Sequence, residues 1–461
     1  MDLTDLEKLI MSEGRELMRK LLEEHLELRG HGDIGSSVEG SDEIVRKNKR
    51  DTTKKITTTF GKVDNNRVSY ANDGVESLFP KDSQLNLPDN SYSHSLTKEL
   101  ALAVANNSFD ESIKIVERMT GVKIPKRQAE DLANNAAKDF DGFYLLPCSA
   151  ELLDLVSKKD LLILTMDQKG IVMRTESLKE DTREKAKRSN RKMEKRLSKG
   201  EKKNCKRMST VASVYSIDRF KRSPDDIMKG LSRKDDETKE KRPSIAVKRV
   251  WASLEKEPDR ITKEMFDEIV RRDPLREKDL VCLVDGEPRQ IKRIEQEAKK
   301  RGLKVTIVID IIHVIEYLWS SARVFHEESS YACESWVNQQ LFEVLNGNAT
   351  KVAATIRRNA SRRGLKETAR APADTSADYL SKKKKYLQYN KYLSKGFPIA
   401  TGVIEGACRH LIKDRMDITG ARWGLTTAEA ILKLRSLKSS NDFEEYWKFQ
   451  YEEVKTSHNL F

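Results

Sequence analysis

The stretch Thr401-Gly-Val-Ile-Glu405-Gly-Ala-Cys-Arg409-His-Leu-Ile-Lys413-Asp-Arg415 sets one carboxylate four and eight residues before two cations. On a helix those three positions share a face. An acid among bases suits a carboxylate that holds a metal ion while its neighbours hold phosphate. Asp167 and Asp285 each close an apolar run and stand shortly before a glycine. Cleaving or joining a phosphodiester needs an activated oxygen nucleophile and a stabilised leaving oxygen. Two Mg²⁺ ions roughly 3.5–4 Å apart supply both, and such hard ions take carboxylate oxygens. At least three acids must then converge from rigid elements, and Asp167, Asp285 and Glu405 are the catalytic and metal-binding candidates.

Each acid also has a plainer reading. An Asp before Gly is often a turn former, Asp167 could close a turn through Gly170, and Glu405 could simply pair with Arg409. Asp310 competes as the second metal ligand because it too ends an apolar run, with His313 one helical turn on.

The elements that must position these acids follow from the apolar pattern. Leu161-Leu-Ile-Leu-Thr-Met166 reads as a strand ending at Asp167, with Ile171-Val-Met173 returning as a hairpin through Gly170. Residues 208–217 form a third strand, and helices are expected at 245–256 and 262–272. Leu280-Val-Cys-Leu-Val284 is a strand ending at Asp285, residues 289–301 a helix, and Val305-Thr-Ile-Val-Ile309 a strand ending at Asp310. This order suits an α/β fold with a ribonuclease-H-like core over 155–311. A helical insertion (312–395) would interrupt it, and its last part with the Glu405 helix would fill 396–461.

Ahead of the core, residues 4–29 read as an amphipathic helix with Leu6, Leu9, Ile10, Leu17, Leu21, Leu22 and Leu26 at helical spacing. A Gly/Ser/Asp segment and a basic stretch to about residue 55 would tether it loosely. The region 56–150 predicts a small strand pair and a mainly helical DNA-binding part. There a helix over 108–119, a turn at Gly121 and a second helix from Lys126 resemble a helix-turn-helix. Pro125 at the helix start, with Lys126, Arg127 and Gln128 in the first turn, suits base edges or phosphates; an ordinary helical hairpin is the alternative.

The chain has 461 residues, 87 Lys and Arg against 74 Asp and Glu, a net charge of +13, and hydrophobic and charged shares of 37% and 35%. Residues 181–207 hold 13 Lys or Arg against four acids, a run suited to a DNA backbone. The five cysteines lie far apart, without a Cys-x-x-Cys, and offer neither a disulfide framework nor a zinc module. The acidic start and the lack of a long apolar run predict a soluble cytoplasmic protein without a membrane partner.

Longer segments carry a resemblance over nearly the whole chain: Leu85-Asn-Leu-Pro88, Met166-Asp-Gln-Lys-Gly-Ile-Val-Met-Arg174, Arg207-Met-Ser-Thr-Val-Ala-Ser-Val-Tyr215, Leu283-Val-Asp-Gly286 with Gln290, Asp310-Ile-Ile-His-Val-Ile-Glu-Tyr317-Leu-Trp319, Gly396 to Arg415, and Thr419-Gly-Ala-Arg-Trp423. In these the chain resembles DDE transposases of bacterial insertion sequences, nearest the Kra-type group related to the Mutator-like clan. Gln168 departs from the glycine expected after the first Asp. The resemblance implies Asp167, Asp285 and Glu405 as the triad, two Mg²⁺ ions (replaceable by Mn²⁺), and Asp310 with His313 as a companion motif. It implies double-stranded DNA as partner, both terminal inverted repeats and target, and a homo-oligomer in the synaptic complex. Arg409, Lys413, Arg415 and Arg422 become candidate phosphate contacts, and Trp423 a base-stacking platform or a core residue. A structure-specific nuclease on the same fold, or a degenerate copy that only binds DNA, is the alternative.

Overall fold

The computed structural model describes residues 1–188, 204–231 and 242–458. The chain divides into two compact units, one of Met1–Leu146, Val172–Cys205 and Asp414–Phe461, the other of Pro147–Ile171 and Lys206–Lys413. Most of the basic run, 189–203, lies outside the described residues; its start belongs to a helix, Glu180–Arg188.

In the first unit the opening helix, Leu3–Leu28, is followed by an antiparallel hairpin of β1 (Asn48–Thr58) and β2 (Gly61–Ala71). The hairpin starts well inside the stretch expected to be a linker. Leu22 and Leu26 of the helix pack on Ile56 and Val63, so the helix is seated on the hairpin rather than loosely tethered. The doubled polar residues of β1, Thr52-Thr53-Lys54-Lys55, carry little period-two signal; its pairing with β2 satisfies the backbone instead. Next come helices His94–Asn106, Phe109–Thr120 and Lys126–Ala136. Ser108 caps the second of these by accepting from Glu111 N at 3.2 Å, and Gly121 ends it with φ +73°, the left-handed turn that glycine adopts at little cost. Ala129, Leu132, Ala133 and Ala136 form the buried face of the third, while Lys126, Arg127 and Gln128 stand exposed in its first turn. Helix Leu425–Ser439, buried around much of its girth, packs against the first and third helices.

The second unit is α/β, built on a mixed five-stranded sheet. Its strands are β3 (Leu161–Val172), β4 (Lys206–Ile217), β5 (Ala246–Ser253), β6 (Asp279–Val284) and β7 (Val305–Ile309), in the order β5-β4-β3-β6-β7. β4 and β5 pair antiparallel; β3, β6 and β7 run parallel. Leu161, Leu162, Ile163 and Leu164 are all fully buried, the unbroken apolar run of a strand covered on both faces. Each such side chain contributes about 1.5–3 kcal/mol over an exposed one.

Two expectations are corrected here. Residues 245–256 are not a helix: 246–253 are edge strand β5. Val247, Val250 and Trp251 favour a pleated surface, and pairing with β4 decides a run too short for periodicity to assign. Nor does the chain turn at Gly170, because β3 runs straight through it. A Cβ there would lie 3.0–3.3 Å from Lys206 and Met208, so the glycine permits close approach of β4 rather than a reversal.

Helix Pro258–Arg272 buries Glu268 among three guanidiniums. Arg272 and Arg271 bond its carboxylate at 2.8 and 2.6 Å, and Arg249 of β5 lies 3.2 Å away. Between Asp310 and Glu405 the chain is helical, with Ile311–Phe325, Tyr331–Leu345, Ala349–Arg362, Glu367–Lys382 and Tyr389–Ser394. No described helix is long and apolar enough to cross a membrane.

Candidate active site

The parallel register brings the aspartates together. Thr165 of β3 pairs with Leu283 of β6, and Val284 with Ile309 of β7. Continued past those pairs, the same register sets Asp167 level with Asp285 and Asp285 level with Asp310. All three stand at the carboxyl edge of the parallel strands, where open α/β sheets place their ligands.

A cavity of ≈ 300 Å³ opens at this edge, lined by Asp167, Asp285, Glu405, Lys169, His313, Thr401, Cys408, Arg409 and Lys413 among others. Glu405 lies on helix Gly402–Cys408, and Arg409–Lys413 continues it as a π-helix. Arg409 and Lys413 therefore do share the site with Glu405, but through a widened turn rather than a regular helical face. Such turns recur at functional sites.

Asp167 Oδ1 accepts from Gln168 N at 2.6 Å, and the Cys408 thiol faces Oδ2 at 3.4 Å. Burial, reinforced by the Asp167 carboxylate, pushes that thiol well above its usual range, so it remains a proton donor. Asp285 Oδ1 accepts from Glu287 N at 2.8 Å, closing a tight turn. The Tyr379 hydroxyl donates to the Asp285 carbonyl at 2.8 Å, and Gln290 donates to the Met166 carbonyl at 2.7 Å. Tyr379 had no signal in the sequence, because its role depends on how helix Glu367–Lys382 returns to the sheet. Gln290 and Thr401 sit in motifs that were visible, but their bonds were not.

Asp310 is placed differently from the reading that made it an alternative metal ligand. It is fully buried, and its carboxylate accepts from Ile312 N at 2.8 Å, Thr401 N at 3.1 Å and the Thr401 hydroxyl. Its own N–H donates to Val284 O at 2.8 Å. It thus caps the His313 helix, fixes the start of the Glu405 helix and ties both to β6. With its oxygens used in this way, Asp310 is a positioning residue, and of the companion pair only His313 lines the cavity.

Arg415 and Trp423 also move inward, being 3% and 6% exposed. Arg415 Nε donates to Val104 O at 3.1 Å, and its guanidinium lies 4.9 Å from the Trp423 ring. Trp423 Nε1 donates to Met416 O at 3.0 Å. Both are core residues here: each donates one N–H to a backbone carbonyl, and the guanidinium lies against the indole face, while the buried Arg415 Nη2 has no hydrogen-bond partner among the described residues. Arg422 is exposed. Lys126 pairs with Asp110 at 2.7 Å, and Gln128 meets the Tyr92 hydroxyl.

The chain matches no protein-family model, and no curated protein is significantly similar to it.

The donor chemistry of Asp167, Asp285 and Glu405 fits a hard divalent cation. Among the described residues no three His, Cys, Asp or Glu side chains stand close enough together to hold one as they are. Like-charged carboxylates repel, so drawing them inward requires the counter-charge.

Gly286, next to Asp285, has φ +97°, and a Cβ there would lie 2.6 Å from the Tyr379 hydroxyl oxygen. Gly286→Ala is expected to lower stability by about 1–3 kcal/mol from backbone strain and the displaced hydroxyl. Urea unfolding checks this, and Tyr379→Phe in the same chain should recover part of the loss.

Proposed function

We propose that this chain is a DDE-type DNA transposase with a ribonuclease-H-like core, which binds terminal inverted repeats and catalyses metal-dependent phosphodiester hydrolysis and strand transfer. The observation that carries this reading is the register that sets Asp167 beside Asp285 at one edge of the sheet, with Glu405 lining the same cavity. When bound, two Mg²⁺ ions would activate the attacking oxygen and stabilise the leaving one. Asp167, Asp285 and Glu405 would hold them, while Cys408 orients the first carboxylate and the Glu287 N–H the second. Lys169, Arg409 and Lys413, which line the same cavity, offer cations to the non-bridging phosphate oxygens. His313 presents an imidazole to the cavity while its Nδ1 lies 3.2 Å from Glu316. The exposed first turn holding Lys126, Arg127 and Gln128 is suited to duplex contact, and the net charge of +13 favours a polyanion. Bringing two DNA ends together calls for more than one copy.

The test is cleavage of a labelled duplex carrying the element's terminal inverted repeat, with Mg²⁺ or Mn²⁺. Cuts at the repeat boundary are expected, and Glu405→Gln should reduce them at least about 100-fold while end binding persists. Undiminished cutting by Glu405→Gln would sink the triad. Cutting without regard to the end sequence would indicate a structure-specific nuclease, and binding without any cutting a DNA-binding role alone.

A further inference from the structure

The ladder between β3 and β6 ends at the Thr165–Leu283 pair. β3 runs on to Val172, while β6 stops at Val284 and the chain turns away at Gly286, φ +97°. Asp167 and Asp285 therefore stand just where the two strands lose the backbone bonds that fix their spacing. A side chain bridges the gap. Gln290, in the first turn of helix Pro288–Arg301, donates through Nε2 to the Met166 carbonyl at 2.7 Å. Its own backbone N–H donates to Glu287 Oε2 at 2.6 Å, and the Glu287 N–H donates to Asp285 Oδ1 at 2.8 Å. Three hydrogen bonds thus run from the Asp285 carboxylate to the residue before Asp167.

We infer that Gln290 is a positioning residue that sets the span between Asp167 and Asp285, and thereby the affinity of the site for a divalent cation. The inference rests on the reading of Asp167 and Asp285 as metal ligands. Two carboxylates of like charge push apart, yet metal–ligand distances must hold to within about 0.2 Å. A tie between the two parted strand ends meets that need, and Met166 and Gln290, 4% and 7% exposed, form it away from water. The amide has one productive orientation, because turned over it would set Oε1 against the Met166 carbonyl oxygen. As placed, Oε1 is buried without a hydrogen-bond partner among the described residues. A buried acceptor left unpaired is unfavourable, and an apolar side chain of the same size would avoid it. What such a side chain lacks is the donor for Met166.

Mn²⁺ titration of the full chain, read from the electron paramagnetic resonance signal of the free ion, tests this without DNA. The unmodified chain is expected to bind Mn²⁺, and Asp285→Ala to lose that binding. Gln290→Met keeps the length of the side chain and removes the donor, and should raise the Kd about 10–100-fold. Ile294→Ala, on the buried face of the same helix, is the structural control. It should lower the metal-free melting temperature at least as far as Gln290→Met does, while its Kd stays within about two-fold of the unmodified chain. Binding that depends on Asp285 but is equal in Gln290→Met would overturn the positioning role and leave the metal site standing. Equal weakening by Ile294→Ala would overturn it too, by tracing the effect to lost stability. No Mn²⁺ uptake, or uptake that survives Asp285→Ala, would overturn the metal-ligand reading and this inference with it.

Discussion

Glu268→Ala is expected to cost about 3–5 kcal/mol and to leave the second unit unfolded or close to it at 37 °C. Glu268 is 1% exposed, and removing it would take the carboxylate away from the fully buried Arg272 and the partly buried Arg271, and one acceptor away from Arg249. Breaking a buried ion pair from one side costs more than the pair itself contributes. Guanidinium-chloride unfolding of the two variants checks this: Glu268→Gln, which keeps the volume and one acceptor, should lose less.

The same cluster sets an acid limit. Burial alone would raise the Glu268 pKa, but Arg272, Arg249 and Arg271 outweigh it and hold the carboxyl at about 2, below its ordinary value of 4.5. The folded protein therefore binds this proton less readily than the unfolded chain. Its stabilisation is complete above about pH 4.5 and is lost as pH falls towards 2. The stability difference between the unmodified chain and Glu268→Gln should accordingly shrink between pH 5 and pH 3. A constant difference over that interval would show that the charge of Glu268 contributes nothing.

Asp310→Ala is expected to be the second large loss, about 3–5 kcal/mol, and to differ in kind from Asp285→Ala. The buried Asp310 carboxylate satisfies Ile312 N and Thr401 N. Removing it strands two buried donors at the starts of two helices, with charged hydrogen bonds worth roughly 1.5–3 kcal/mol each and incompletely additive. Asp285 is exposed, and its side-chain bond is a single turn contact, so Asp285→Ala should melt within a few degrees of the unmodified chain. Differential scanning calorimetry separates the two. Equal melting temperatures for both variants would remove the positioning role assigned to Asp310.

Local sequence determined the apolar runs of the strands, the aspartates that follow β6 and β7, and helices such as Phe109–Thr120, whose Ser108 and Gly121 are written at its ends; β3 instead continues through Asp167 to Val172. These follow from periodicity and capping, which act over a few residues. The separation of Asp167 from Asp285, 285 − 167 = 118 residues, is too wide to form a local motif. The tertiary fold turned it into a register offset, because parallel neighbours align by their backbone bonds and not by any motif. Tertiary structure also decided that 246–253 is a strand, since an edge position beside β4 outweighs a weak helical pattern. It decided that Gly170 serves a close approach and not a turn. Among the candidate site residues, chemistry-bearing types were legible one by one, but burial was not. Asp310, Arg415 and Trp423 look as available in the sequence as Asp285, Arg422 and Lys413. Which of them meets solvent depends on partners up to 311 residues away, such as Val104 for Arg415, and only the folded chain brings those partners into reach.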